Sequence, residues 1–356
     1  MGEIENIPRE IVSRLLERGH EVAARAARQA EEFSTMRGTV RQALAGVIER
    51  VPDNMLDAIP SPVVAAVDGG MVCESRSIGD FCTAVGVAVG PNDDAGGCDI
   101  WMETVPRAAA NKEILGGIMS SMEVRLAVGL PGDVVMVDGA MLSTFINVSK
   151  SIYEARSAKA TPLSERALEN ASTEFRRAVI EILTNGRFVA VPKYTTTNEF
   201  AALLPASLAH HDARTIATMA LRPGEMTHFK ARPPSGADRR RQLIGPALGF
   251  VGDDAAEFAA ALDGIQTCYY RPHPWTPAFR LDMTAQAADG PHALRVLRAV
   301  RDWTRSSGLR EPFPLYLADL FAKHVSVGAA PIVEMASLSS LTDPDARLLV
   351  AMGYRS

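Results

Sequence analysis

The chain has 356 residues, 47% of them hydrophobic and 22% charged, with a formal net charge of −5 at neutral pH. That length can bury a sizeable core and admits either two or three domains or one elaborated α/β domain. The acidic balance excludes a chain-wide positive field for nucleic acid and leaves only a local basic groove for such a role. Cys73, Cys82, Cys98 and Cys268 form no C-x-x-C pair and no zinc-like spacing with histidine, which fits a reducing interior better than a disulfide framework. The stretch MGEIENIPREIVSRLLERGH is charged and amphipathic, and no run approaches the roughly 20 apolar residues that span a bilayer, so a cytoplasmic protein without membrane contact is expected.

In chain order, residues 8 to 50 read as helical, with Ile11, Leu15, Leu16, Val22, Ala26 and Ala30 at three- and four-residue steps and a second such run from Val40 to Val51. Pro60-Ser61-Pro62 then opens an extended run, Val63 to Val67, that ends at Asp68-Gly69-Gly70. Phe81–Gly90 reads as a second strand, 91–99 as a turn cluster and Ile100–Val105 as a third strand. Residues 107–128 predict a helix, broken at Pro131-Gly132, and Val134–Val137 a buried strand ending at Asp138-Gly139. A helix over 164–184, opened by Ser164, precedes a short strand, Phe188–Val191, ending at Pro192-Lys193. Residues 222–254 are rich in Gly and Pro and carry Arg239-Arg240-Arg241, which suggests a surface insertion. Tyr269–Arg271 and Ala278–Met283 read as a strand pair, followed by helices over 291–306 and 314–326.

Three strands, a helix, a strand, a helix and a strand is the order of a ribonuclease H-like fold. The expected architecture is therefore an α/β mixed sheet flanked by helices, with a helical appendage over 1–58 and a main domain over 59–345 that carries the insertion near 222–254.

VVAAVDGG and VVMVDGA carry the chemistry. Each is a buried-type strand leading into Asp-Gly, and ligands in such sheets gather beyond the carboxyl ends of strands. If the two strands are neighbours, Asp68 and Asp138 meet, and two close carboxylates repel unless a cation sits between them. Hard oxygen ligands suit Mg²⁺ or Mn²⁺. Asp-Gly is also among the commonest turn dipeptides, so either motif alone reads as a turn; it is the pair that points to a site. The intervening helix offers Glu123 or Glu113 as a third acid, with Glu123 preferred and Glu113 equally readable as a solvated first-turn residue. Lys193 can meet a phosphate as a point charge or stand as a surface lysine. Asp319, beside Leu315 and Leu320 on the last helix, falls at the edge of the buried side and needs a metal or a basic partner. His210, His211 and His273 lack a second ligand at helical spacing and read as loop histidines, and Arg239, Arg240 and Arg241 either touch phosphate or are solvated.

At these residues the sequence resembles the NurA nuclease family, over roughly Val63 to Leu338. VDGG at 67–70 and GDVVMVDGAML at 132–142 resemble its two strand-Asp-Gly-Ser motifs, FVAVPKYTTTNEF at 188–200 its strand-Lys segment, and FRLDM at 279–283 a late Arg-bearing strand. The resemblance implies a ribonuclease H-like core, manganese-dependent 5′-to-3′ exonuclease and single-strand endonuclease activity on DNA, a homodimer, and partnership with a HerA-type hexameric translocase in DNA end processing. Taken with the residue reading above, an active nuclease is expected to ligate metal through Asp68, Glu123, Asp138 and Asp319, with Mg²⁺ the alternative to Mn²⁺, and to make catalytic or DNA contacts through Lys193 and Arg239–Arg241. The family's Tyr-Pro-x-Pro-Leu-x-x-Ala-His pattern departs here: Glu311 stands at the tyrosine and Asp319 at the histidine, while Gly70 and Ala140 replace serines. Those departures keep a second reading open, a scaffold that docks the translocase without cutting. A third is an actin-like ATPase or kinase, which the lack of a Gly-rich phosphate loop disfavours.

Overall fold

Pro60 and Pro62 preclude helix, and the chain enters the central strand β2 (Val64–Arg76). A computed structural model describes residues 8–91, 95–194, 199–231 and 244–351. Val64 and Ala66 of β2 face one core and Ala65 and Val67 the other, the pattern of a strand covered on both sides. β3 (Gly79–Val89) and β4 (Ala95–Val105) follow antiparallel. The helix α4 (Asn111–Gly129) then crosses over to β5 (Val134–Asp138), parallel to β2, and β6 (Phe188–Val191) lies parallel to β5. The resulting order β4-β3-β2-β5-β6 is the expected ribonuclease H-like arrangement.

β2 runs nine residues past its expected end at Val67, because Asp68-Gly69-Gly70 does not turn. Those residues pair in register with Val87, Gly86 and Val85 of β3. Turn propensity is local, and the ladder that overrides it is not. Gly69 and Gly86 lie opposite each other, and there α4 comes down on the sheet: a Cβ at Gly86 would sit 2.9 Å from Met122 Cβ.

Two helices replace the expected single one over 164–184. α6 (Pro162–Leu168) is capped by Thr161, whose side chain accepts from the Ser164 N–H while Ser164 Oγ accepts from the Thr161 N–H, so Ser164 lies inside the helix rather than opening it. α7 (Thr173–Thr184) has its own cap at Ser172. The preceding helix α5 (Met141–Ser157) was not anticipated. Its serines, threonine and β-branched residues weaken the local helix signal, yet Met141, Phe145, Val148 and Ile152 bury one face.

Beyond β6 the sheet continues antiparallel through β10 (Phe279–Met283) and β9 (Gln266–Arg271), and then through β7 (Glu225–Thr227) to β1 (Ile48–Arg50), with β8 (Lys230–Ala231) also on β9. β7 and β8 thus lie inside the stretch read as an insertion, while Arg239–Arg241 fall outside the described residues. On the N-terminal side, Val40 and Leu44 of α2 (Arg37–Leu44) bury against α8 (Ala213–Ala220), Leu56 of α3 (Asp53–Asp57) enters the second core, and Arg41 forms a two-pronged pair with Glu225 at 2.6 and 2.8 Å. Residues 37–57 therefore join the main body, with β1 in the sheet and α2 and α3 packed into its cores. The long helix α1 (Arg9–Thr35) buries no residue and alone has the character of an appendage.

After α9 (Asp253–Asp263) and α10 (Gly290–Trp303), α11 (Phe313–Ser340) extends fourteen residues past its expected end and lies across β2 and β3. Ala322 packs on Val85 and Val87, and Glu334 reaches Arg76 at 3.6 Å. The crossing is closest at Gly70, where a Cβ would meet the Ala322 carbonyl oxygen at 2.6 Å and Ser326 Oγ at 2.9 Å. Gly70→Ser is therefore expected to push α11 off the sheet and cost about 1–3 kcal/mol, the usual penalty of overpacking, measured by urea unfolding. An unchanged midpoint would show that the crossing relaxes freely. Among the described residues, no helix is long and apolar enough to cross a membrane.

Candidate active site

Register creates the site. In the parallel pair, Ala66 lies opposite Met136 and Val67 opposite Val137, and that pairing ends there. Asp68 and Asp138 are the next residues on each strand. Both carry the parity of Val64, Ala66, Val134 and Met136, so both point to the core face that α11 covers. Gly139 takes a left-handed φ of 79°, which lets the chain leave β5 directly behind the carboxylate. Helix α11 starts at the Pro312 N-cap with Pro314 in its first turn, and it brings Asp319 down one and a half turns later. Asp68, Asp138 and Asp319 each present a carboxylate oxygen within 4.8 Å of the others, a grouping able to hold a metal ion.

Lys193, just past the end of β6, occupies the centre. Its Nζ lies 3.2 Å from Asp68 Oδ2, 3.3 Å from Asp138 Oδ2, 3.3 Å from Glu311 Oε2 and 2.8 Å from Asp319 Oδ1. Burial works against this ammonium, but Asp138, Asp68, Asp319 and Glu311 together outweigh it and hold the lysine protonated far above neutral pH. A second lysine, Lys323, takes the other oxygen of Asp319 at 2.6 Å one helical turn on. Burial opposes the ionised form of Asp319, yet hydrogen bonds from Lys193 and Lys323 pull its carboxyl below the usual range.

Glu123 approaches from the opposite side of β2. It is buried on α4, and its Oε1 lies 2.5 Å from where a Cβ of Gly69 would stand, so glycine is required there for the carboxylate to reach the strand. Desolvation first, then Asp68 and Asp138, raise its carboxyl well above the ordinary glutamate value. Asp68 is pushed up to about 8, mainly by burial and then by Asp138, with Lys193 and the Gly69 N–H, which donates to Asp68 Oδ1 at 2.7 Å, acting the other way. The alternative acid, Glu113, pairs with Lys150 at 2.9 Å. It lies ten residues up the helix from Glu123, about 15 Å at the helical rise.

The donor set fits a hard divalent cation. All of its candidate ligands are carboxylate oxygens, and Asp138 Oδ1 is buried without a hydrogen-bond partner, which a buried carboxylate oxygen rarely tolerates. Like charges this close are stable only with protons or cations between them.

Besides Lys323, two contributors were not among the expected site residues. Glu311, noticed in the sequence only as a departure, places its carboxylate beside Lys193, and desolvation raises its pKa despite that lysine. Arg214 had no sequence signal. From α8 its guanidinium donates to the carbonyls of Lys193, Ala278 (3.1 Å) and Arg310 (3.4 Å), pinning together the segments that present Lys193 and Glu311. The histidines stay outside: His211 packs at a tilt against Phe33 and His210, and His273 stacks on Trp275 and bonds the Arg301 carbonyl oxygen.

A profile of the NurA domain matches residues 62–323, the span from β2 into α11 that builds every part of this cluster. The chain belongs to the NurA family. Solved structures agree with it in fold. The crystal structure of the NurA nuclease from Sulfolobus solfataricus superposes with a TM-score of 0.60 at 15% identity, covering 94% of this chain and 99% of that one. A NurA bound to dAMP and manganese gives 0.54 at 13% identity over 94% and 99%, and a NurA with manganese gives 0.50 at 12% over 90% and 100%. No curated protein sequence matches the chain. In this NurA chain the matched span contains Asp68, Asp138, Lys193, Glu311 and Asp319.

Proposed function

We propose that this chain is a divalent-metal-dependent deoxyribonuclease that hydrolyses phosphodiester bonds at the cluster of Asp68, Asp138 and Asp319. The observation that carries the reading is the convergence of those three carboxylates within 4.8 Å in a chain of the NurA family. Mn²⁺ is the favoured ion, consistent with the manganese-bound family structures, and Mg²⁺ is the alternative with the same oxygen preference. Held by Asp68, Asp138 and Asp319, with Glu123 behind Asp68, such an ion would supply Lewis acidity and positive charge to a phosphodiester. The chain's own groups do the rest. Lys193 offers a point charge to a phosphate oxygen, Arg214 fixes the backbone that presents it, and α4 and α11 close over the two faces of β2 and limit water.

The finer activity proposed is 5′-to-3′ exonuclease and single-strand endonuclease action during DNA end processing, as a homodimer working with a HerA-type translocase. Family membership supports it. The homodimer is further supported by the apolar surface of α1, where Ile11, Leu15, Leu16 and Val22 are exposed. Arg239–Arg241 remain proposed DNA contacts, and residues 59–345 the proposed nuclease domain, within which the NurA match spans 62–323.

The test is a strand-resolved cleavage assay with end-labelled single- and double-stranded DNA in Mn²⁺ and Mg²⁺, wild type beside Asp138→Ala. Expected is metal-dependent cutting that Asp138→Ala reduces by at least about 10²-fold, the scale of losing one preorganised electrostatic contact. A second reading, a translocase-docking scaffold that does not cut, is motivated by Glu311 and Asp319. It predicts no cleavage in any divalent ion together with tight partner binding.

A further inference from the structure

The three acids close enough to share one cation are also the three whose oxygens surround the Lys193 ammonium, at 2.8 to 3.3 Å. A fourth carboxylate, Glu311, faces the same nitrogen. A hard divalent ion drawing the three carboxylates in to about 2.0–2.6 Å would set its charge against the ammonium held among the same side chains. Two cations cannot hold that position together. Lysine is suited to give way, because its charge is compact and its four-carbon stem flexible, whereas the carboxylates are fixed by β2, β5 and the first turns of α11.

We propose that the Lys193 ammonium is a built-in counter-ion that competes with the divalent ion for Asp68, Asp138 and Asp319 and must leave them for the ion to bind. A DNA phosphate is the displaced ammonium's next partner, so metal loading and substrate binding are coupled, each strengthening the other as linkage requires. This rests on the nuclease reading above and adds to it an order of events: the site loads fully only when a phosphate receives the lysine. Lys323 makes the necessary comparison. It also pairs with a carboxylate of the cluster, but on the outer oxygen of Asp319 and largely exposed, so it contributes charge without standing in the way.

The experiment is Mn²⁺ titration by calorimetry, with electron paramagnetic resonance of free Mn²⁺ as the check, on wild type, Lys193→Met and Lys323→Met. Circular dichroism confirms that each is folded. Removing the competing ammonium is expected to tighten Mn²⁺ binding by more than about tenfold, since a contacting charge shifts a site's ionic equilibria by one to three decades. Lys323→Met should change it by less than about threefold, as an exposed charge is screened. A cleavage-resistant phosphorothioate oligonucleotide should then tighten Mn²⁺ binding to wild type and not to Lys193→Met. Equal effects of the two substitutions, or unchanged or weaker binding in Lys193→Met, would overturn the proposal. So would an oligonucleotide effect of the same size in wild type and Lys193→Met. The titrations without DNA require no cleavage, so they stand apart from a failure of the nuclease reading, which the cleavage assay reports separately.

Discussion

Replacing Asp68 by asparagine is expected to abolish metal-dependent cleavage and, in the same protein, to stabilise the metal-free fold above neutral pH. The first effect follows from removing one of the three carboxylates that can share a cation, and the loss should reach at least about 10²-fold. The second follows from linkage. Burial and Asp138 raise the Asp68 carboxyl from 3.8 to about 8 in the folded protein. Between those values the folded state holds a proton that the unfolded state has released. Stability therefore falls as pH rises through that window, by at most about 1.4 kcal/mol per pH unit from this group, and levels off above the folded pKa. Asparagine has no such proton to lose. At pH 8, chelator-treated Asp68→Asn should be more stable than wild type by more than about 1 kcal/mol, with a flatter dependence between pH 5 and 8. Urea unfolding at several pH values measures both, and a variant that loses stability at pH 8 would show that Asp68 is held ionised by Lys193. The same reasoning has wild type release protons on binding Mn²⁺ near pH 7, visible as a buffer-dependent heat.

The largest loss of stability is expected at Arg280. The resemblance marked FRLDM as an Arg-bearing strand, and the structure makes that arginine the centre of a buried ionic network. Its Nε lies 2.8 Å from Asp282 Oδ1 and its Nη1 3.1 Å from Glu199, with the two aspartate–arginine side chains almost wholly inaccessible. Tyr269 Oη donates to Glu199 at 2.8 Å and Thr267 Oγ1 to Asp282 at 2.8 Å. Arg280→Met would leave Asp282 buried without its counter-charge, at a cost of about 3–5 kcal/mol. The double variant Arg280→Met/Asp282→Leu should recover more than half of that, because the penalty lies in the orphaned charge rather than in the pair itself. If the double variant is no better than the single one, the network contributes through geometry instead, anchoring Glu199.

What the sequence determined by itself was local. Continuous apolar runs located β3, β5 and β6 to within a few residues, and Asp-Gly after two such runs singled out Asp68 and Asp138. Strand-end and helix-face position raised Lys193 and Asp319 with an ordinary surface or ion-pair reading still open, and motif likeness weighed toward the site. Local signals failed where a distant partner decides. Asp68-Gly69-Gly70 has the composition of a turn, and it is the ladder with β3 that keeps it extended. Asp68 is thus not a strand end in its own chain; it stands at the edge only of the parallel pairing, where β5 stops. Glu113 and Glu123 were separable only by seeing that Gly69 opens a space for the second and that Lys150 takes the first. Glu311 and Arg214 gain meaning only from the loops and helices packed against Lys193. Side-chain periodicity is written along a single segment, whereas register, helix crossing and the meeting of charges depend on pairs of segments far apart in the chain. The sequence therefore specified the two aspartates, and the tertiary structure decided that they share one site, with a lysine at its centre.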